Sequence, residues 1–500
     1  MTLRTGKEYI ASLQDSREVY YKGERIDDVT THPATRGMVQ THAALYDLMH
    51  DSNHVDTLTV EVTETGERIP TFYLLPESQE ELRKRREASK CWMDYTCGMS
   101  GRASDFLAAG VTGMAISTSH FNTDEAAYGD NIQSYFEFCR REHPSLTHAL
   151  IDPQIDRSKG GSWREAGDVD RPGAVRKVDE TNEGIVVSGA RMLATLGPQA
   201  EELLVYPYGH FGEDEADQAV AFAIPVDTEG LRQICRPSLS SNDKRNHPIS
   251  SRFDEMDTFV VFDEVTVPWD RVFINGDTDI ASTWYRYSSE EGMGTTYVNF
   301  AHHQTCIKDL AKAEFAYGVA LMLAESTGVT QYFHVQSKLG EMASMIENIR
   351  SAIIAAESTA VEYRDTGYVV PSHRPLYGVT STFCDNYPRM LEIIRDIGGS
   401  GLLGVPAWED LEAEEPLGGD VHTYFRGKDI KAPRRMAVQK LAYELMISGF
   451  GGREELYERF YTGGPMRVKS NLYRSFPDAE DIKDRVLEYG FKGIDRPTEE

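Results

Sequence analysis

"GAVRKVDETNEGIVVSGARMLATLG", residues 173–197, holds two short runs in which apolar and polar side chains alternate, parted by Asp179–Gly184. Alternation at period two gives a strand one row of side chains per face, and a polar, glycine-ended break between two such runs signals a hairpin. The pattern continues through residues 201–209, 218–226, 231–237 and 257–274, short apolar runs set off by Pro, Asp or Gly. No helix-length crossover separates these strands, so a βαβ array with a Rossmann nucleotide site is excluded. The centre of the chain reads as an antiparallel, barrel-like β-domain.

Outward from this centre the period changes. Residues 34–51 carry apolar side chains at helical spacing, and residues 77–98 begin acidic and turn basic in the sense the helix dipole favours. Residues 106–119, "FLAAGVTGMAISTS", follow a Gly98–Arg102 turn, and their small side chains allow neighbouring backbone to approach closely. Beyond the strands, residues 304–327, 334–364, 387–399 and 435–449 read as long amphipathic helices of a bundle. The expectation is an α+β multidomain chain: a helical N-terminal domain over 1–150, a middle β-domain over 151–285, and a C-terminal helical bundle and tail over 286–500. The length of the bundle points to a subunit interface. The glycine-rich stretch 398–404, "GGSGLLG", has neither dinucleotide nor P-loop spacing and reads as a helix end and turn.

Composition narrows the partners. Over 500 residues, 80 Asp and Glu against 52 Lys and Arg give a formal charge of -28, which argues against a nucleic-acid surface. No stretch reaches the ~18 apolar residues of a spanning helix, and the first residues carry no secretory apolar core, so a cytoplasmic protein without a membrane role is expected. Cysteines at 91, 97, 139, 235, 306 and 384 are too scattered for a disulfide framework or a structural zinc site.

The candidate chemistry sits on few residues. His148, in "LTHALIDPQIDR" (146–157), could meet a phenolic or carbonyl oxygen, though a lone histidine is more often a structural or capping residue. Gln154 and Arg157 downstream could face an anionic cofactor or merely solvent. Arg102 precedes an apolar helix, where its charge needs either a carboxylate such as Asp105 or a ligand. Phe106, four residues on, would share Arg102's face if both were helical. Thr195 ends a strand beside a turn, and "SGFGGREELYERF" (448–460) places glycines and free amides between two helices. Cys91, Cys97, His302, His303 and Cys306 do not form a compact cluster motif, and no metal is expected.

Several of these segments recur together in one family. "RTGKEYIASL" (4–13), "YYKGERIDDVTTHPATRG" (20–37), "GRASDF" (101–106), "THALIDPQIDR" (147–157), "EGIVVSGARMLAT" (183–195), "HPISSRFDEMDTFVVFDEVTVPWDRVF" (247–273) and "SGFGGREELYERF" resemble, in order and spacing, the oxygenase component of the 4-hydroxyphenylacetate 3-monooxygenase family. The resemblance implies an acyl-CoA-dehydrogenase-like fold, usually a homotetramer. It implies FAD received as FADH2 from a separate NAD(P)H-dependent flavin reductase, reaction with O2 to a C4a-hydroperoxyflavin, and hydroxylation of a phenol ortho to its hydroxyl to give a catechol. By the same resemblance Arg102 and His148 bind the phenolic oxygen and are the catalytic pair, with Phe106, Tyr208 and Gly209 also lining the substrate. His148, Ala149, Leu150, Gln154, Arg157, Thr195 and Ser448, Gly449, Phe450 and Gly451 match the flavin-lining stretches.

Two positions depart from the family's 4-hydroxyphenylacetate enzymes. Phe106 stands where they have a tyrosine, and Tyr208 and Gly209 replace the small hydroxyl residues that receive the substrate carboxylate. The substitutions favour another phenol: halogenated, amino-acid-like or tethered to a carrier. The alternatives are a flavin-dependent dehydratase with an iron-sulfur cluster and an acyl-CoA-dehydrogenase-like enzyme.

Overall fold

The computed structural model describes residues 3–62, 66–155, 173–286 and 294–493. Its centre is two packed sheets. The first runs Glu24–Arg25, Glu18–Tyr21, Leu231–Cys235, Asp257–Pro268, Gly184–Thr195, Arg176–Glu180 in spatial order, and the second Val272–Asn275, Val220–Pro225, Glu202–Val205, Leu146–Ala149. The alternation seen in the sequence is what packs them. Val260, Phe262, Val265 and Val267 point inward from one strand and Ile185 and Val187 from its neighbour, meeting Leu203, Val205, Val220, Phe222 and Ile224 of the second sheet in one apolar core. Asp263 and Glu264 form a bulge between Phe262 and Val265, which restores the inward row after two exposed residues.

Strands drawn from residue 176 onward pair antiparallel, as the hairpin pattern requires. The sheets are nonetheless mixed, because each receives one parallel strand from the N-terminal region: Glu18–Tyr21 lies beside Leu231–Cys235, and Leu146–Ala149 beside Glu202–Val205. The second addition places His148 opposite Leu204, at the edge of the sheet nearest the helices. His148 therefore lies on a strand.

The bundle is built around the 31-residue helix Tyr297–Thr327, buried without interruption from Tyr297 to Ala313. Against it pack Gln79–Tyr95, Ser104–Ile116, Phe333–Ser358, His373–Gly398 and Ala432–Met446. The small residues of Ser104–Ile116 do what their size suggests: a Cβ on Gly113 would lie 2.7 Å from the Tyr297 backbone, so only glycine permits this approach. Gly398 ends one helix and Gly399, at φ 58°, turns the chain, as read for "GGSGLLG". Helices Pro465–Arg474 and Ala479–Gly490 close the described chain, and the latter buries no residue. Among the described residues no helix is long and apolar enough to cross a membrane.

Candidate active site

Arg102 is held by its backbone. After helix Gln79–Tyr95 the chain reverses through Cys97 and Gly98, both at positive φ, with Gly98 pressed on the backbone of Lys312. Ser100, Gly101 and Arg102 then hang on the buried carboxylate of Glu255, the Arg102 N–H donating to Oε1 at 2.8 Å. The helix begins only at Ser104, so Arg102 lies in the preceding turn and not on Phe106's helical face as the spacing suggested. Its guanidinium reaches the ring all the same. The Arg102 Cζ stands 4.2 Å from the Phe106 centroid and 4.1 Å from that of Tyr461, between two aromatic walls, with Tyr457 at 5.7 Å.

No carboxylate among the described residues lies in ion-pair reach of this guanidinium, and its buried Nη1 has no hydrogen-bond partner. Asp105, the partner that the sequence offered, instead accepts from Gln304 Nε2 at 2.8 Å, and burial pushes its carboxyl up to about 7. A buried cation with aromatic faces and no counter-ion among the described residues is chemically suited to accept an anion.

His148 stands beside it. Its ring meets the edge of Phe106 at 5.7 Å and that of Tyr206 at 6.2 Å, and its Nδ1 is buried without a partner. Burial, and then the charge of Arg102, hold the imidazole well below its ordinary 6.5, so it is neutral near pH 7. Further out the wall is aromatic: Tyr206 packs on Trp284 at 4.7 Å, Trp284 on Tyr285 at 5.1 Å, and Tyr285 on Tyr297 at 5.5 Å. Tyr208 stands edge-on to Tyr285 at 5.2 Å, with the Arg467 guanidinium 4.5 Å above its ring, and Gly209 follows at φ 128°.

Of the other matched residues, Thr195 and the helix that follows Ser448 are linked to the His148 strand by a chain of hydrogen bonds. The Thr147 hydroxyl donates to the carbonyl of Thr195 at 2.6 Å, and Met192 N to that of Ile151 at 2.7 Å, which joins the strand of His148 and Ala149, with Leu150 just beyond it, to the end of Gly184–Thr195. Gln154 is exposed on the segment leaving that strand; Arg157 lies outside the described residues. The Thr195 hydroxyl donates to Asp257 Oδ1 at 2.7 Å, and Asp257 is also gripped by Arg453, which projects from helix Gly449–Phe460. Ser448 caps that helix, accepting from Gly451 N at 3.0 Å. Gly449 lies against Leu239, and a Cβ on Gly451 would run into the carbonyls of Glu444 and Leu445. Phe450 turns its ring into the bundle core, so only its backbone faces outward chemistry.

Tyr457, Tyr461, Arg453 and Glu255 escaped the sequence reading. The first three had a signal: Arg453, Tyr457 and Tyr461 recur every four residues and so share one helix face. Gly101 makes room for it, since any Cβ there would collide with the Tyr457 hydroxyl. The scattered cysteines and histidines stay apart in function: His303 Nε2 meets Glu357 at 2.9 Å, His302 meets His373 at 3.0 Å, and Cys306 lies 3.7 Å from the Leu376 carbonyl. Among the described residues no three His, Cys, Asp or Glu side chains are grouped to hold a metal.

Comparison with known proteins converges on one family. The model of the 4-hydroxyphenylacetate 3-hydroxylase N-terminal region matches residues 5–274, and that of its C-terminal region residues 293–488. The chain is 39% identical to the oxygenase component of 4-hydroxyphenylacetate 3-monooxygenase from Thermus thermophilus, over 97% of this chain and 96% of that one. It is 32% identical to a (3S)-3-amino-3-(3-chloro-4-hydroxyphenyl)propanoyl-peptidyl-carrier-protein monooxygenase from Streptomyces globisporus, over 94% and 87%. Its fold superposes with TM-score 0.90 on a crystal structure of an oxygenase component of 4-hydroxyphenylacetate 3-monooxygenase complexed with FAD and 4-hydroxyphenylacetate, at 38% identity over 97% of this chain and 98% of that one.

Proposed function

The chain belongs to the 4-hydroxyphenylacetate 3-hydroxylase family, and on that footing we propose that Arg102 and His148 hold the oxygen of a phenol while it is hydroxylated at the ortho carbon. It has the acyl-CoA-dehydrogenase-like architecture of its family, and it is the oxygenase component of a two-component, FADH2-dependent monooxygenase that uses O2 on a phenolic substrate. The observation that supports the roles is the buried Arg102 guanidinium, walled by Phe106 and Tyr461, free of any described carboxylate and adjacent to a neutral imidazole.

The residues suit a phenol that loses its proton. Arg102 keeps its charge at every working pH and favours phenolate over phenol. The arriving negative charge in turn raises the proton affinity of His148, whose Nδ1 can then hold the displaced proton. A phenolate pushes electron density onto its ortho carbon, which is the carbon an electrophilic oxygen attacks. Phe106 offers a flat apolar face and no hydroxyl, so Arg102 and His148 carry the oxygen contacts between them.

Reduced FAD, when bound, supplies the electrons that turn O2 into the electrophile. His148, Ala149, Leu150, Gln154, Arg157, Thr195 and Ser448–Gly451 are the residues that would hold it. The described ones fit, because strand-end backbone, an exposed amide and the first turn of a capped helix offer polar groups on one side of His148. The packed rings of Trp284, Tyr285 and Tyr297 would keep water from that side of the site while the cofactor is bound.

Tyr208 and Gly209 set the far end of the substrate. Neither offers the short hydroxyl that a small carboxylate would need, which favours a halogenated, amino-acid-like or carrier-tethered phenol over free 4-hydroxyphenylacetate. A separate NAD(P)H-dependent reductase supplies the FADH2. The assembly is a homotetramer, a reading supported by the apolar side chains left exposed on the last two helices, Met466 at 87% on the first and Val486 at 64% on the second.

His148→Ala should leave the fold intact and lower catechol formed per reduced flavin about a hundredfold, hydrogen peroxide taking its place. Normal coupling in that variant would remove His148 from the mechanism. The pH dependence has a definite sign. A base depressed by burial stays neutral as pH falls through 6.5, so wild-type kcat/KM for the phenol should show no His148 limb between about pH 7.5 and about pH 6. An acid limb near 6.5 that vanished in His148→Gln would contradict the burial-depressed state of the imidazole, while leaving its part in the reaction standing.

A further inference from the structure

Glu255 is fully buried just ahead of strand Asp257–Pro268, and the turn of Arg102 converges on it. Oε1 accepts from Arg102 N at 2.8 Å and Ser100 Oγ at 3.2 Å, and Oε2 from Gly101 N at 3.2 Å. Two residues on, Asp257 accepts from Thr195 Oγ1 at 2.7 Å, from Arg236 Nε at 2.8 Å, and from Arg453 through Nη2 at 2.7 Å and Nε at 3.1 Å. Arg453 spans both carboxylates, its Nη1 lying 3.6 Å from Glu255. The same helix carries Tyr457, which leads to Tyr461, the second wall of Arg102. Three separate parts of the chain, those of Arg102, Thr195 and Ser448–Gly451, are therefore tied at one strand entrance.

The tie matters because of what Arg102 lacks. A guanidinium with a carboxylate partner is aimed by that partner; this one is aimed by its backbone anchor and by two rings. Small errors in the placement of a reacting group cost rate steeply, about a hundredfold for an ångström. We infer that Glu255, acting with Asp257 and Arg453, is a positioning residue for the hydroxylation: it sets the place of the phenol on Arg102 relative to the cofactor side of the site. The inference rests on the assignment of Arg102 to the phenolic oxygen.

Glu255→Gln tests it. The amide keeps the shape and one acceptor, but turns an N–H toward the Gly101 N–H and removes the charge beside Arg453. FAD affinity, read by fluorescence, should stay within about twofold, since no cofactor contact is altered. The KM for the phenol should rise about tenfold, with a smaller loss in kcat and a fall in catechol per reduced flavin. The pH at which protein-bound 4-nitrophenol ionises should move up, because a misplaced Arg102 stabilises the phenolate less. In an Arg102→Lys background the added Glu255→Gln should change neither KM nor that ionisation.

Wild-type KM, coupling and nitrophenol ionisation in Glu255→Gln would overturn the inference, as would penalties that simply add in the double variant. If Glu255→Gln does not fold, Ser100→Ala decides: it removes one hydrogen bond to the same carboxylate and should raise KM about two- to threefold, and an unchanged KM overturns the inference. An Arg102→Lys protein that ionises nitrophenol like wild type would show a different failure, that of the Arg102 assignment itself.

Discussion

Arg102→Met should lower kcat/KM for the phenol by about a thousandfold while reduced flavin is still oxidised, its electrons going to hydrogen peroxide. The magnitude follows from the environment. A single preorganised donor in a water-excluded site is worth about a hundred- to a thousandfold, and in the proposed arrangement Arg102 adds a permanent charge to the contact with the phenolic oxygen. The stability of the same variant should move the other way. Arg102 is 9% exposed and sits between rings without a described counter-ion, so methionine, of similar length and apolar, removes a desolvation cost and breaks no ion pair. Unfolding in the absence of phenol should therefore be as hard as in wild type or harder. A charge that was structurally paired would give the opposite result, a loss of about 3–5 kcal/mol.

Lys312→Met should show that opposite result. Lys312 Nζ lies 2.6 Å from Glu454 and 2.5 Å from Glu458, and Glu458 is shared with Lys308, which also meets Asp309 at 2.8 Å. Every member is buried, and although burial opposes the Lys312 charge, Glu454 and Glu458 hold its proton affinity above the ordinary 10.5. A lysine held above its unfolded value contributes stability fully below that value and loses it only as pH rises beyond it, so the whole effect is present at neutral pH. Removing the cation leaves two carboxylates short of compensation in the interior, at a cost of about 3–5 kcal/mol in denaturant unfolding. Adding Glu454→Met should not restore this loss in full, because Glu454 also holds Arg453 Nη1 at 2.7 Å and its removal takes a partner from that buried cation. A loss below about 1 kcal/mol in Lys312→Met would mean that the network is not what fixes helix Gly449–Phe460 to the bundle.

The two variants bracket what could be read from the sequence. The strands of the middle region were legible because each buries one face: Val260, Phe262, Val265 and Val267 alternate with exposed partners, and a bulge corrects the one break. The four-residue strand of His148 was not, because Leu146–Ala149 is too short for a period and its partner, Glu202–Val205, pairs in parallel from far along the chain. Ser104–Ile116 was legible as a closely packed helix from its small residues. Arg102's position was not, since the helix starts two residues later than the spacing alone suggests.

The same division runs through the site. Arg102, Phe106 and His148 came into view through short motifs, and the structure brings the three together. Asp105 as the arginine's counter-ion was a reasonable reading of proximity in sequence, yet Gln304 takes that carboxylate. Glu255 and the buried Lys308, Lys312, Glu454 and Glu458 carry no local signature. Charged residues at helical spacing look like a solvated face until a partner some 140 to 150 residues away is known to meet them.

The measurement that bears most directly on the central claim is the fate of isotopically labelled O2. Protein holding reduced FAD, prepared without oxygen, is mixed with labelled O2 in the presence of a panel of phenols: 4-hydroxyphenylacetate, halogenated and amino-acid-like phenols, and a carrier-tethered phenol. The expected product is a catechol carrying one labelled oxygen ortho to the original hydroxyl, formed faster from a member of the panel other than 4-hydroxyphenylacetate. Recovery of all the label as hydrogen peroxide and water with every phenol would contradict that claim.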